Sequence, residues 1–313
     1  DQTIILGEAS LFKILSPELK PYRQIVIGSG EAMKCQTTID TIINNLLEFQ
    51  ADKSTMLVGI GGGVVTDIAG FVASIYKRGM RLGFVPTTVL GMVDASLGGK
   101  NGINVGLYKN MTGTIYQPEF ILFDTNLLQT LPLLDWQNGF AEIIKHAVCF
   151  DKELFKLLEK NNVDYYRNDK IAFSELVRKN VGIKFSIVSH DEMETGDRKL
   201  LNFGHTIGHA IENTMGLSHG HAVSIGMVVE SSLSEIISGL PATETAKIIS
   251  LLQQYELPVS CPMEADSLTN MIVSDKKKQG DTIDLITLAS VGKAQITKLS
   301  IGELHHYLKQ ILS

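Results

Sequence analysis

The run Met56-Leu57-Val58-Gly59-Ile60 ends on Gly61-Gly62-Gly63, and a helical apolar pattern opens just beyond, over residues 65–76. An unbroken apolar strand is buried on both faces, which is the habit of parallel sheets covered by helices. The flanking segments repeat the theme. Residues 24–27 and 82–85 form short apolar strands, and residues 32–49 carry Ile39, Ile42, Ile43, Leu46 and Leu47 at helical spacing. Strands punctuated by helices predict a parallel α/β sheet, with its first strand at residues 24–27.

The pattern changes near Thr130-Leu131-Pro132. Helical periodicity then dominates over residues 139–150, 151–160, 172–189, 205–215, 223–237 and 243–255, and two short strands, 282–288 and 294–299, close the chain. At 313 residues the chain exceeds one ordinary core. The expected organisation is α/β: an N-terminal parallel-sheet domain of nucleotide-binding type over 1–132, followed by a mainly α-helical domain over 133–313, to which the motifs below assign metal and substrate binding. A ligand cleft is expected between two such domains.

Composition narrows the function classes. The 28 basic and 34 acidic residues give a net charge of −6, which argues against a nucleic-acid-binding surface. A local cluster of Lys and Arg still suits a small anionic substrate. Cys35, Cys149 and Cys261 are far apart and form no Cys-x-x-Cys motif, as in a reducing compartment. No apolar run reaches membrane-spanning length and no basic-then-apolar leader pattern is present, so the expected setting is the cytoplasm, without membrane partners.

Four of the eight histidines lie close together, in Gly204-His205-Thr206-Ile207-Gly208-His209 and in Ser218-His219-Gly220-His221. His205 and His209 are i and i+4, on one face of a helix. Upstream, Glu142 and Lys145 are i and i+3. That spacing suits a surface ion pair. It also lets Glu142 complete a site of two imidazoles and one carboxylate, which leaves open positions on a catalytic metal. The triple glycine with Val64 and Asp67 suits a phosphate at a helix N-terminus, or simply a tight turn. Asp67 is expected within the first helical turn, where it would complement the helix dipole. Asp94, Ser96, Gly98, Gly99 and Lys100, then Lys109 and Asn110, read as a loop of small residues with anion-binding lysines, or as a solvated loop. Lys184, Arg198, Asn202 and the run Asp275-Lys276-Lys277-Lys278 are solvated charges taken singly and an anion pocket taken together.

Read jointly, these strings resemble the 3-dehydroquinate synthases, within the sugar-phosphate cyclases. The resemblance runs from about Ser29 to about Leu299. It rests on Gly30-Glu31-x-x-Lys34, Gly61 to Asp67, Tyr76-Lys77-Arg78-Gly79, Pro86-Thr87-Thr88, Val93 to Lys100, Lys109-Asn110, Ala141 to Lys145, Asp191-Glu192 and Arg198 to Glu212. It implies that Glu142, His205 and His219 bind zinc or cobalt. It implies that Glu31, Lys34, Gly62, Gly63, Val64, Asp67, Thr87, Thr88, Asp94, Lys100, Lys109 and Thr130 contact NAD. It implies substrate, phosphate or proton-transfer roles for Asp94, Lys100, Lys109, Asn110, Lys145, Lys184, Arg198, Asn202, His209 and Lys277. Arg78 would reach the phosphate pocket of a neighbouring subunit in a homodimer.

The implied reaction turns 3-deoxy-arabino-heptulosonate 7-phosphate into 3-dehydroquinate and phosphate. It proceeds by transient oxidation with NAD, β-elimination of phosphate, re-reduction, ring opening and aldol closure. Two departures from the family pattern stand out. His221 occupies a position where the family has Glu, and no strand with a ribose-binding carboxylate fits ahead of Gly30. Rival readings are another cyclase, of the 2-deoxy-scyllo-inosose or valiolone type, a metal- and NAD-dependent polyol dehydrogenase, and a non-catalytic metal- and NAD-binding scaffold.

Overall fold

Residues Met56–Gly61 are buried at every position in the computed structural model, which describes residues 2–106, 108–276 and 281–312. The chain divides into two units, Asp1–Pro132 and Leu133–Ser313. The first runs β1 (Thr3–Glu8), α1 (Ala9–Ile14), α2 (Ser16–Leu19), β2 (Arg23–Ile27), α3 (Gln36–Glu48), β3 (Met56–Gly61), α4 (Gly63–Ile75), β4 (Arg81–Pro86), β5 (Lys100–Val105), β6 (Tyr108–Ile115) and β7 (Phe120–Ile121). Five strands form one parallel sheet in the order β2-β1-β3-β4-β7. Ile4, Leu6, Leu57 and Phe84 pack with Ile39 and Ile42 of α3 and Ile68 and Val72 of α4 in one core.

The strand order has a consequence for ligands. From β1 the chain moves outward to β2, then returns to the other side of β1 as β3 and continues to β4. That reversal is a topological switch point, and in such sheets ligands bind outside the carboxyl ends of the strands beside it. Here those ends are Glu8 of β1 and the glycine turn after β3.

β1 corrects the sequence reading, which begins the sheet at residues 24–27 and finds no carboxylate-bearing strand before Gly30. Ile4-Ile5-Leu6 is too short a run to show periodicity. Pairing with β2 on one side and β3 on the other makes it an interior strand, an outcome local propensity does not decide. Glu8 ends the strand, and its carboxylate accepts a hydrogen bond from Ser29 Oγ at 2.7 Å. The antiparallel hairpin β5–β6 corrects the loop expected at Lys100–Asn110. Its strands meet at Gly102 and Gly113, where a Cβ on Gly113 would lie 2.5 Å from Asn101 O. Glycines at that contact erase the apolar alternation by which a strand is recognised. The helix expected from residue 32 begins at Gln36, after a 3-10 turn at Glu31–Met33.

The second unit comprises α5 (Leu133–Phe150), α6 (Lys152–Leu158), α7 (Val163–Asn168), α8 (Lys170–His190), α9 (His205–Met215), α10 (His219–Ser238), α11 (Ala242–Gln254), α12 (Ala265–Lys276), β8 (Thr282–Ser290), β9 (Lys293–Ser300) and α13 (Ile301–Ile311). Strands β8 and β9 form an antiparallel hairpin. They do not close the chain as expected, because α13 follows. Its start is written in Ser300 and Glu303, which form a capping box, and Leu304 and Leu308 bury one face. Helix α5 is buried through Gly139 to Cys149, so its polar residues Glu142, Lys145 and His146 lie in the interior.

Helices α9 and α10 meet along a seam of glycines. A Cβ on Gly226 would lie 1.9 Å from Gly204 O, and one on Gly208 would lie 3.0 Å from Ala222 O. Both obstacles are backbone, so the helices would have to separate to admit a methyl group. Gly226→Ala is expected to destabilise the protein by about 3 kcal/mol or more. Denaturant unfolding checks this, and a variant as stable as the parent would contradict the seam.

Candidate metal centre and nucleotide site

Three helices of the second unit bring Glu142 (α5), His205 (α9) and His219 (α10) together, with one ligand atom from each within 4.8 Å of the others. His219 Nε2 stands 3.0 Å and His205 Nε2 3.4 Å from the same oxygen, Glu142 Oε1. His205 Nδ1 lies 3.1 Å from Phe203 O, so this nitrogen carries the proton and Nε2 presents a lone pair. His219 Nδ1 faces Glu212 Oε2 at 3.3 Å. Imidazoles oriented from behind by a carbonyl or a carboxylate are typical of metal ligands. The donor set of one carboxylate and two imidazoles therefore fits a divalent cation.

The electrostatics agree with the geometry. Glu142 is fully buried, which alone would raise its pKa, but the Lys145 ammonium and the two histidines hold it well below the ordinary value. Lys145 Nζ contacts Glu142 Oε2 one helical turn away. Both groups are buried, so this is not the surface ion pair that the i, i+3 spacing also allowed. Burial and the Lys145 charge push His205 down, against the pull of Glu142. Burial would also lower His219, but hydrogen bonds to Glu142 and Glu212 raise it to about 10. A cation bound by Nε2 would take that proton's place between the ring and Glu142.

His209 stands beside this trio, its ring centroid 5.2 Å from that of His205 and 6.4 Å from that of His219. The residue retains solvent contact, yet packing around the ring, with the two neighbouring histidines, favours its neutral form. His221 does not join this group; its Nε2 lies 3.2 Å from Gln137 Oε1. Lys184 and Arg198 are buried cations. Arg198 leads the chain toward α9 on the 3-10 stretch Asp197–Asn202. The loop before it is organised by Asp191, whose carboxylate accepts from the amides of Thr195 (2.9 Å), Gly196 (2.7 Å) and Arg198 (3.0 Å). Burial works against these bonds, which nonetheless bring the Asp191 pKa down to about 2. Asn202 donates to Glu194 Oε1 at 2.7 Å. Lys277 lies outside the described residues.

In the first unit the structure gathers residues far apart in sequence. Lys34 is buried, and its Nζ donates to Asp67 Oδ2 at 2.6 Å and to Asn110 Oδ1 at 2.5 Å. Glu31 lies 3.7 Å from the same ammonium and accepts from Asn104 Nδ2 at 2.9 Å. Asp67 sits beyond the first turn of α4, which holds no acidic residue, so it serves Lys34 and not the helix end as expected. Gly62 is the N-cap of α4 and Gly63 its first residue. A Cβ on Gly62 would come within 3.0 Å of Thr88, and one on Gly63 within 3.2 Å of Ala95. The helix N-terminus is bare of side chains at Gly62 and Gly63, with Val64 after it, an arrangement of the kind that admits a phosphate.

Thr87 N donates to Gly61 O at 2.9 Å, and Thr88 Oγ1 accepts from Gly91 N at 3.0 Å, so both threonines are fixed beside the glycine turn. Asp94 lies in the π-type turn Gly91–Ala95. Lys100, Lys109 and Thr130 are exposed, the lysines on the hairpin and Thr130 after a 3-10 turn. Arg78 is also exposed, on a turn where Lys77, Arg78 and Gly79 all have positive φ. The sequence reading missed Glu8, Asn104, Glu194 and the role of Glu212. Only Glu8 carried a local signal, as the carboxylate that ends an apolar run.

Comparison with known proteins follows the same lines. The model of the 3-dehydroquinate synthase N-terminal region matches residues 24–138, and that of the C-terminal region matches 139–278. A 3-dehydroquinate synthase from Thermodesulfovibrio yellowstonii is 41% identical over 99% of this chain and 86% of its own length. Among solved structures, a 2-epi-5-epi-valiolone synthase from Streptomyces hygroscopicus with NAD+ and Zn2+ bound is 27% identical. It superposes with a TM-score of 0.89 over 99% of this chain and 90% of that one. A 2-deoxy-scyllo-inosose synthase complexed with carbaglucose-6-phosphate, NAD+ and Co2+ shares the fold, with a TM-score of 0.87 at 23% identity over 99% and 90% of the two chains. By sequence over nearly its whole length, and by a fold it shares with sugar-phosphate cyclases, the chain belongs to the 3-dehydroquinate synthase family.

Proposed function

We propose that the chain converts 3-deoxy-D-arabino-heptulosonate 7-phosphate to 3-dehydroquinate and phosphate, with NAD and a divalent metal, zinc or cobalt. The convergence of two oriented imidazoles on a buried, lysine-paired carboxylate is the observation that carries this reading. Identity of 41% to a 3-dehydroquinate synthase, against 23–27% to cyclases of other sugars, favours this member of the cyclases.

In this reading Glu142, His205 and His219 hold the metal. Glu31, Lys34, the Gly62-Gly63-Val64 turn, Asp67, Thr87, Thr88, Asp94, Lys100, Lys109 and Thr130 hold NAD, and Glu8 joins them. When bound, the metal acidifies a substrate alcohol and NAD+ takes up and returns a hydride. The Lys145 ammonium keeps Glu142 ionised and so fit to ligate. Lys184, Arg198 and Asn202 hold the substrate's phosphate and carboxylate. Buried cations suit this work because little water competes with the anion. His209, held neutral, donates its ring N–H to a phosphate oxygen. Arg78 completes the phosphate pocket of a second copy in a homodimer, and the cytoplasm is the compartment. No helix among the described residues is long and apolar enough to cross a membrane.

The test is to supply the heptulosonate phosphate, NAD+ and zinc or cobalt, and to follow phosphate and NADH together. Phosphate release matched by dehydroquinate, with no net NADH, is the expected result. Accumulating NADH would mean a polyol dehydrogenase, and failure to use this substrate would mean a cyclase of another sugar. His205→Ala should lose bound metal, and its turnover should fall by more than the roughly 10–100-fold that loss of a ligand's hydrogen-bond partner costs.

Glu8 yields a separate prediction. A carboxylate closing a strand at the switch point is placed to accept from a ribose hydroxyl. Glu8→Ala should raise the Kd for NAD+ about tenfold, or ~1.4 kcal/mol, and leave the Kd for zinc unchanged. Calorimetric titration of each ligand checks this, and unaltered NAD+ affinity would remove Glu8 from the pocket.

A further inference from the structure

A second fully buried carboxylate has no part in the reading above. Glu230 lies on α10, three helical turns beyond His219, with no solvent exposure. His219, Val223, Met227 and Glu230 recur at helical spacing along one face of α10. Val223 and Met227 lie on the seam, where they limit the space around Gly204 and Gly208.

One Glu230 oxygen accepts from Gly204 N at 2.7 Å, and the other lies 3.5 Å from Ile207 N. These amides belong to the N-terminal end of α9, whose first turn has no carbonyl partners within the helix. A Ser or Asp at the N-cap would normally supply the acceptor from its own side chain. Here the N-cap is Gly204, at φ +79°, which has none. Glu230 therefore caps α9 from the neighbouring helix, and its charge complements the helix dipole.

The capped segment is the one that aims His205. Phe203 O anchors His205 Nδ1, Gly204 N is held by Glu230, and His205 itself is the first residue of α9. A shift of Gly204 would move both the backbone of His205 and the carbonyl that fixes its ring. The opposite end of the helix pair is tied in the reverse sense, by Glu212 of α9 on His219 of α10. One carboxylate at each end thus locks one metal-ligating histidine.

We propose that Glu230 is a positioning residue for the metal centre, which by capping α9 across the helix pair sets where His205 Nε2 stands relative to Glu142 and His219. This rests on the metal-binding reading given under the proposed function. The test compares the wild-type chain with E230Q, which keeps the side-chain shape and removes the charge. Zinc affinity is measured by titration of the metal-free chain, and Tm is measured without metal. The expected result is zinc binding weakened about tenfold, as for other groups that orient a ligand from behind. A lowered Tm with an unchanged zinc Kd would mean a purely structural cap and would overturn the proposal. A wild-type chain that binds no zinc would overturn both this proposal and the metal reading, whereas a zinc-binding wild type matched by E230Q would overturn this proposal alone. Amide hydrogen exchange of the wild-type chain tests the cap without any substitution. Slow exchange at Gly204 and Ile207 supports it, and exchange at the rate of a frayed helix end overturns it.

Discussion

Gly226 and Gly204 meet so closely that a methyl group on Gly226 would strike backbone, and that contact sets how near α9 and α10 can run. The geometry of the second unit follows from it. His205 and His209 lie on one helix of the pair and His219 on the other, with the His205 and His219 ring centroids 5.4 Å apart. A wider crossing would leave three separate histidines. Close packing of glycine-bearing helices thus holds the proposed ligand atoms on rigid elements, where their spacing varies least.

Glu142, the proposed third ligand, comes with a charge problem. Glu142 is fully buried, and an isolated carboxylate in such a place would take up a proton. Lys145 on the same helix prevents this. The arrangement is costly to assemble and contributes little net stability, since buried ion pairs often roughly break even against desolvation. Its value lies in chemistry: it keeps the Glu142 carboxylate ionised in the interior, as the proposed ligand role requires. Glu230, also fully buried, accepts from Gly204 N at the start of α9.

Much of this was legible in the sequence where local signals were strong. The apolar run before Gly61 and the helical spacing of α3, α8, α10 and α11 announced the α/β and helical units. The i, i+4 pair of His205 and His209 announced a histidine site. What stayed hidden depended on long-range contacts. β1 is a strand because β2 and β3 flank it. The β5–β6 hairpin pairs through glycines that erase its pattern. Lys34, Asp67 and Asn110 meet only after the sheet and hairpin have formed. The Glu142–Lys145 spacing was compatible with a surface pair, and only the burial of α5 decided between the two. His221, which occupies a position where related chains were expected to carry Glu, faces Gln137 and is not grouped with Glu142, His205 and His219.

The central claim is that Glu142, His205 and His219 form one metal site whose geometry is set by the α9–α10 pair. Zinc K-edge absorption on the reconstituted chain tests it most directly. The account predicts one zinc per chain in a shell of nitrogen and oxygen at about 2.0–2.2 Å, with the scattering signature of two imidazoles. A sulfur neighbour near ~2.3 Å, or zinc that does not bind stoichiometrically, would contradict it.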